Sequence, residues 1–252
     1  MEITSGQSYN INDLKNKAKK LRRSVLELAL KEGGSHIGGS FSEIEILTSL
    51  YNHVLKEEDT FILSKGHACF PYYILLREKG YNPSLSGHPE KDIDNGIPCT
   101  TGSLGHGLPI GAGMAYAKKE KNIPGRIYVL MSDGECQEGT TWESAGIAPY
   151  LNLDNLTVIV DNNKIQALDR VEDVSPLDIG NIFKSFNWYV NEINGHDYNE
   201  TIPALLENPN KPYMILANTI KGKDVSFIED KAEWHAKKID KEIVDAALEE
   251  LK

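Results

Sequence analysis

The sequence predicts an α/β fold with a central parallel sheet and helices on both of its faces. Three observations lead there. From Arg126 onward, short apolar runs alternate with segments of helical spacing, the pattern of parallel strands joined by right-handed crossovers. The runs at 127–131 and 156–160 are apolar but for Thr157, as strands buried on both faces are. Each run then closes on polar residues, Ser132-Asp133-Gly134 and Asp161-Asn162-Asn163.

Leu14, Ala18, Leu21, Val25 and Leu28 keep helical spacing, so a first helix is expected over 12–31, ended by Gly33-Gly34. A second helix is expected to open at Ser42, with Glu45 as capping-box partner, and to close at Asn52. Its buried stripe would be Ile46, Leu47, Leu50 and Tyr51. Another helix follows His67 and ends near Gly80. Residues 81–104, with Pro83, Gly87, Pro89, Gly96, Pro98 and Gly102, read as one long irregular segment, and such loops tend to be functional. Gly107, Gly111 and Ala115 give the helix at 105–119 a face of small residues for close packing. Strands are expected to end near Asp133, Asp161, Asn194 and Asn218, with helices at 138–150, 176–186, 198–207 and 240–251. With no repeat, low-complexity tract or linker, residues 1–252 read as a single domain.

The net charge of −10 argues against a general nucleic-acid binder. Lys15, Lys17, Lys19, Lys20, Arg22 and Arg23 cluster, and read as the solvated face of the first helix. Cys69, Cys99 and Cys136 have neither metal spacing nor a paired framework, which fits a reducing cytoplasm. No signal pattern opens the chain, and no apolar run approaches the ~20 residues of a membrane span. A soluble, cytoplasmic protein without nucleic-acid or membrane partners is expected.

Asp133 and Asn163 sit where strands end, and open α/β sheets bind ligands outside the carboxyl ends of their strands. A carboxylate and an amide oxygen there suit a hard divalent cation that also grips a phosphate. Gly134 lets backbone N–H groups approach an anion.

This pair, Ser132-Asp133-Gly134 answered by Asn162-Asn163, resembles the Gly-Asp-Gly and Asn-Asn fingerprint of thiamine diphosphate enzymes. Ser35-His36-Ile37-Gly38-Gly39, the block 62–68 with Ser64-Lys65-Gly66-His67, Gly87-His88-Pro89-Glu90, the block 100–107, Gly195-His196-Asp197 and Trp234-His235 follow the order of the transketolase amino-terminal domain. The resemblance spans nearly the whole chain. It implies the thiamine diphosphate-binding fold and a cation (Mg²⁺, or Ca²⁺ or Mn²⁺) held by Asp133, Asn163 and the Ile165 carbonyl. It further implies cofactor contacts from Lys65, His67, Gly102, Leu104, Asp133, Gly134, Glu135, Asn163, Lys221 and His235. His36, His88 and His235 would line the substrate channel. Histidine suits that task because it donates or accepts protons near neutral pH. Glu138 and Glu143 would lie at a subunit interface, near a partner's activating glutamate. Three positions depart from the family: Ser132 replaces a Gly, Asp224 replaces a Gly, and Ala236 follows His235 where a Gly is usual. His106 stands where many members have Gln.

The family's pyrimidine-binding domain has no counterpart in the sequence. The resemblance therefore implies the amino-terminal subunit of a split transketolase, with a carboxy-terminal partner subunit in an α2β2 heterotetramer. The expected reaction moves a two-carbon ketol unit from a ketose phosphate to an aldose phosphate, by default in pentose phosphate metabolism. Three alternatives stand beside it. They are a specialised biosynthetic transketolation with another donor or acceptor, a component of another thiamine enzyme using a 2-oxo acid or pyruvate, and a non-catalytic cofactor-binding subunit. The triplet of glycines at 102, 105 and 107 has the wrong spacing for a dinucleotide-binding loop and follows no strand.

Overall fold

The computed structural model describes residues 9–34, 36–167 and 169–252. The chain opens with helix α1, Ile11–Glu32, capped by the Asn10 side chain on the Asn12 amide at 3.0 Å. Gly33 ends it at φ 75°, a left-handed conformation that glycine adopts without a Cβ penalty. Next come α2 (Ile37–Ser42), α3 (Ile44–Ser49) and a π-type turn over Leu50–Val54. Strand β1 is Thr60–Leu63, and α4 is Phe70–Glu78. After the irregular loop come α5 (Gly107–Glu120), β2 (Ile127–Ser132), α6 (Gly139–Tyr150), β3 (Leu156–Asn162) and the short α7 (Val171–Val174). The chain continues with α8 (Ile179–Ser185), β4 (Tyr189–Asn194), α9 (Tyr198–Leu206), β5 (Tyr213–Asn218) and α10 (Lys241–Glu250).

The five strands form one parallel sheet in the order β1-β2-β3-β5-β4. Alternate residues feed two cores. Tyr128 and Leu130 of β2 pack with α1, α3, α4 and α9, whereas Ile127, Val129 and Met131 pack with α5, α6 and α8. Side chains of successive strand residues point to opposite faces, so an apolar run without gaps requires a cover on each side. Each large apolar side chain buried this way stabilises the fold by roughly 1.5–3 kcal/mol. The parallel register brings the carboxyl ends of all five strands to one edge, and Ser64, Asp133, Asn163, Gly195 and Thr219 follow those ends.

Four expectations are corrected. Ser42 does not open a helix. It ends α2, and its hydroxyl lies 3.0 Å from the Gly39 carbonyl and 2.5 Å from Asp161 Oδ2, both acceptors. Glu45 is not a capping-box partner, because its carboxylate binds Arg22 and His196. The helical path runs past Asn52 to Val54. Residues 37–51 are buried on every side, and the Ser42 hydroxyl and Glu45 carboxylate turn to partners inside the protein and not to helix ends. The basic cluster is likewise only partly solvated. Arg22 is 0 % exposed and pairs with Glu45, while Arg23 donates to the Leu248 and Leu251 carbonyls near the end of α10. Among the described residues, no helix is long and apolar enough to cross a membrane.

Candidate cofactor and active site

The turn after β3 folds onto the end of β2. Asp133 Oδ1 accepts from the Gly134 amide at 2.8 Å, and Oδ2 accepts from the Lys164 amide at 2.6 Å. Asn163 Oδ1 accepts from the Ile165 amide at 3.2 Å, and its Nδ2 donates to Asp161 Oδ2 at 3.2 Å. Lys164 bridges them at φ 69°. Asp133, Asn163 and Ile165 are all buried. Burial, with the nearby charge of Asp161, pushes the Asp133 carboxyl up to about 6.

The Lys221 ammonium donates to the Ile165 carbonyl at 2.9 Å and reaches His235 Nδ1 at 3.0 Å. Lys221 is 2 % exposed, and burial together with the neighbouring Lys65 charge lowers it to about 8. Asp133 and Asp161 oppose that shift. A buried ammonium persists only where oxygens favour positive charge. The turn gathers the Asp133 carboxylate, the Asn163 amide oxygen and the Ile165 carbonyl, the hard set that Mg²⁺ and Ca²⁺ select. The residues present therefore fit a divalent cation. No cluster of three or more His, Cys, Asp or Glu is found among the described residues, so a site here relies on this mixed oxygen set.

Lys65 is 1 % exposed, and its ammonium faces inward. It donates to the Gly39 carbonyl at 3.0 Å, pairs with Asp161, and lies 2.9 Å from Glu43 Oε2. Burial alone would lower Lys65, but the two carboxylates raise it. Its charge is thus paired inside the fold, at the carboxyl edge of the sheet. Asp161 also accepts from Ser42 and Thr219. Glu43, which sequence reasoning does not single out, is pushed up to about 8 by burial. The available signal is a second glutamate beside Glu45 in a buried, otherwise apolar and small stretch.

Glu135 is held within the fold. It is 0 % exposed, and Oε1 accepts from Ser64 Oγ at 2.5 Å and from the Gly105 amide at 2.9 Å, while Oε2 accepts from the Ser132 amide at 3.0 Å. Both oxygens are engaged in bracing β1, β2 and the 102–107 loop. The departure at Ser132 has a local use, because its Oγ accepts from the Glu135 amide at 3.3 Å.

Three histidines converge beside Lys221. Ring centroids lie 5.1 Å apart for His36 and His67, 5.6 Å for His36 and His235, and 5.5 Å for His67 and His235. Burial lowers all three, and Lys221 lowers them further, His235 to about 4. Each shift favours the neutral imidazole. His88 is exposed, and its charge also depresses His36. Its ring covers Gly102, which sits at φ 140°; a Cβ there would stand 2.8 Å from His88 Cδ2. Leu104 is half-buried, and its carbonyl is 3.1 Å from His106 Nδ1 on the exposed side of the loop. Gly134 leaves its amide at the carboxyl edge, with Gln166 close by. Glu138 and Glu143 lie exposed, at the cap and in the first turns of α6. Ser35 lies outside the described residues.

One polar path thus runs from the Asp133–Asn163–Ile165 oxygens through Lys221 to the three histidines, at the carboxyl edge of a parallel sheet. That is the arrangement of an α/β enzyme binding an anionic cofactor at its strand ends. The chain belongs to the transketolase family: the family described as transketolase, thiamine diphosphate binding domain, matches residues 14–251. It is 40% identical to an apulose-4-phosphate transketolase subunit of Actinobacillus succinogenes, covering 97% of this chain and 98% of that one. It is 37% identical to the 6-deoxy-6-sulfo-D-fructose transketolase subunit SqwG of Clostridium sp., covering 95% and 96%. Among solved structures, transketolase from Campylobacter jejuni superposes with a TM-score of 0.86 at 30% identity, over 96% of this chain and 43% of that one.

Proposed function

We propose that this chain is the diphosphate-binding, amino-terminal subunit of a split transketolase, its 252 residues forming one thiamine diphosphate-binding domain. The observation that carries the reading is the continuous link from the Ile165 carbonyl through Lys221 to His235, which joins oxygens suited to a cation to a histidine-lined end. Asp133, Asn163 and the Ile165 carbonyl would hold Mg²⁺, and the Gly134 amide, Lys221 and His67 would meet the diphosphate. Bound thiamine diphosphate supplies the electron sink for breaking and making the carbon–carbon bond beside a carbonyl.

The chain's own residues bind, orient and move protons. Lys221 neutralises diphosphate charge that one divalent cation leaves over. His36 and His235, neutral within the buried cluster, accept or donate protons at sugar hydroxyl and carbonyl oxygens. His88, on the exposed loop against Gly102, reaches substrate from the solvent side. Glu138 and Glu143 face outward, where a carboxy-terminal partner would complete the cofactor pocket in an α2β2 assembly.

The donor and acceptor need not be pentose phosphates. Subunit-length relatives at 40% and 37% identity are named for apulose-4-phosphate and 6-deoxy-6-sulfo-D-fructose, which favours a modified sugar as substrate. The test is a ketol-transfer assay with Mg²⁺ and thiamine diphosphate, run on this chain alone and with its carboxy-terminal partner. Xylulose 5-phosphate, apulose 4-phosphate and 6-deoxy-6-sulfofructose serve as donors. Turnover only in the mixture is expected. Turnover by the chain alone would remove the two-subunit reading, and cofactor binding without turnover on any donor would favour a non-catalytic role.

A further inference from the structure

We propose that Arg22, Glu45 and His196 form a buried clamp that positions Lys221 for the diphosphate. This rests on the reading of Lys221 given above and adds three positioning residues to it. The three groups come from α1, α3 and the turn after β4, and none lies in the cofactor site itself.

The contacts form a chain. Arg22 Nη1 and Nη2 donate to Glu45 Oε1 at 2.7 Å and Oε2 at 2.9 Å, the two-pronged geometry of a strong guanidinium–carboxylate pair. Glu45 Oε2 lies 2.8 Å from His196 Nδ1. His196 Nε2 lies 2.8 Å from the Ile220 amide. A backbone amide can only donate, so Nε2 accepts, and the ring proton sits on Nδ1 facing Glu45. Arg22 returns to the same loop, donating through Nε to the Lys223 carbonyl at 3.1 Å. The clamp therefore holds the residue before Lys221 by its N–H and the second residue after it by its carbonyl.

The intervening backbone is held as well. The Gly222 amide donates to the Gly38 carbonyl at 3.0 Å, and the Asp230 amide donates to the Lys221 carbonyl at 2.9 Å. Gly222 sits at φ 76°, where an added Cβ would meet Ile228 Cγ2 at 2.5 Å. The family departure at Asp224 joins the clamp. Asp224 adopts φ 72° and lies 3.2 Å from Arg22 Nη1. A buried ion pair is a weak source of net stability compared with apolar packing. Its placement against both flanks of the one lysine that links the cation and histidine ends gives it a specific use, fixing where that ammonium points.

The test uses the whole chain with Mg²⁺ and inorganic pyrophosphate as probe, read by titration calorimetry, with a ligand-free melt for each variant. The variants are His196→Asn, His196→Gln, Lys221→Met and the His196→Asn/Lys221→Met double. Gln can still accept from the Ile220 amide, whereas Asn keeps only the donor toward Glu45. Lys221→Met is expected to weaken binding about tenfold, the equivalent of one lost charged contact. His196→Asn should weaken binding about fivefold or more, and His196→Gln should stay within about twofold of the native chain. The double variant should bind like Lys221→Met alone, because the clamp acts through that lysine. Should His196→Asn melt below the assay temperature, His196→Met takes its place in the cycle. Losses that add in the double variant, or native affinity in His196→Asn, would overturn the clamp. Native affinity in Lys221→Met would instead overturn the reading of Lys221, and the clamp with it.

Discussion

The Lys221 ammonium lies 2.9 Å from the Ile165 carbonyl oxygen, the same oxygen proposed as a ligand for a divalent cation. A lysine and a metal ion cannot share that oxygen without strong repulsion at such short range. Removing the ammonium should therefore favour the bare metal while harming the diphosphate. Lys221→Met is expected to bind Mn²⁺ alone about tenfold more tightly than the native chain. Electron paramagnetic resonance of free Mn²⁺ reads this without any turnover. Equal Mn²⁺ affinity in the two chains would mean that Lys221 does not compete for the site.

Cofactor binding should have a plateau in pH. Asp133 must be ionised to hold a cation, and burial has pushed its carboxyl up to about 6. Lys221 must be charged to meet the diphosphate, and burial has lowered it to about 8. Affinity for thiamine diphosphate with Mg²⁺ should be highest between these values. It should fall as pH drops through 6, when Asp133 takes up a proton, and again as pH rises through 8, when Lys221 loses one. Each limb approaches a tenfold loss per pH unit, about 1.4 kcal/mol. Calorimetric titrations from about pH 5 to about pH 9.5 would trace both limbs; a flat profile would count against both residues.

What the sequence reveals and what it hides follow one physical rule. Strands β2 and β3 are legible because apolar runs, broken only by Thr157, report burial on both faces. The oxygens at Asp133 and Asn163 are legible because they stand directly at the ends of those runs. Strand β1 is not. It has four residues, too few for a period, and its last two open the block that ends in Lys65 and His67. The partners of Lys65 are hidden, because Glu43 and Asp161 are distant in sequence and come together only through the fold. Arg22 misleads for the same reason. A helical lysine and arginine cluster looks solvated until Glu45 arrives from α3. The partners of Glu135 are hidden too, because only the fold shows Ser64, Gly105 and Ser132 converging on it.

Glu45 should make the fold sensitive to acid. Burial works to raise its carboxyl, but Arg22 and His196 outweigh that and hold it at about 2, against an ordinary 4.5. A depressed carboxyl contributes stability that is fully present above the ordinary value and is lost as pH falls toward the folded one. The window is therefore pH 4.5 down to about 2, with on the order of 3 kcal/mol at stake. Urea unfolding should show this decline in the native chain. Glu45→Gln should already be about 3–5 kcal/mol less stable near neutral pH, since it leaves the buried Arg22 charge poorly paired. Its further loss across the same acid window should be smaller than the native chain's. Parallel curves would assign the acid sensitivity elsewhere.

Lys164 separates stability from binding. It holds φ 69° so that its amide reaches Asp133 while the chain turns from Asn163 to Ile165. A left-handed conformation costs a residue with a Cβ roughly 1–2 kcal/mol, and glycine avoids that at an entropic penalty of about 0.5–1 kcal/mol. Lys164→Gly should therefore stabilise the chain by about 0.5–1 kcal/mol, a rise of roughly 1–4 °C in melting temperature for a chain of this size. The side chain is exposed, and the amide that binds Asp133 is retained, so metal-dependent cofactor affinity should hold within about twofold. Lys164→Val should do the opposite on both counts. A β-branched residue resists this conformation most, and a relaxed turn would carry the Ile165 carbonyl and Asn163 away from Asp133. Melting curves alongside calorimetric titration of Mg²⁺ and thiamine diphosphate would measure both effects. If Lys164→Val lost stability but kept full affinity, the turn would not be what holds the three oxygens together.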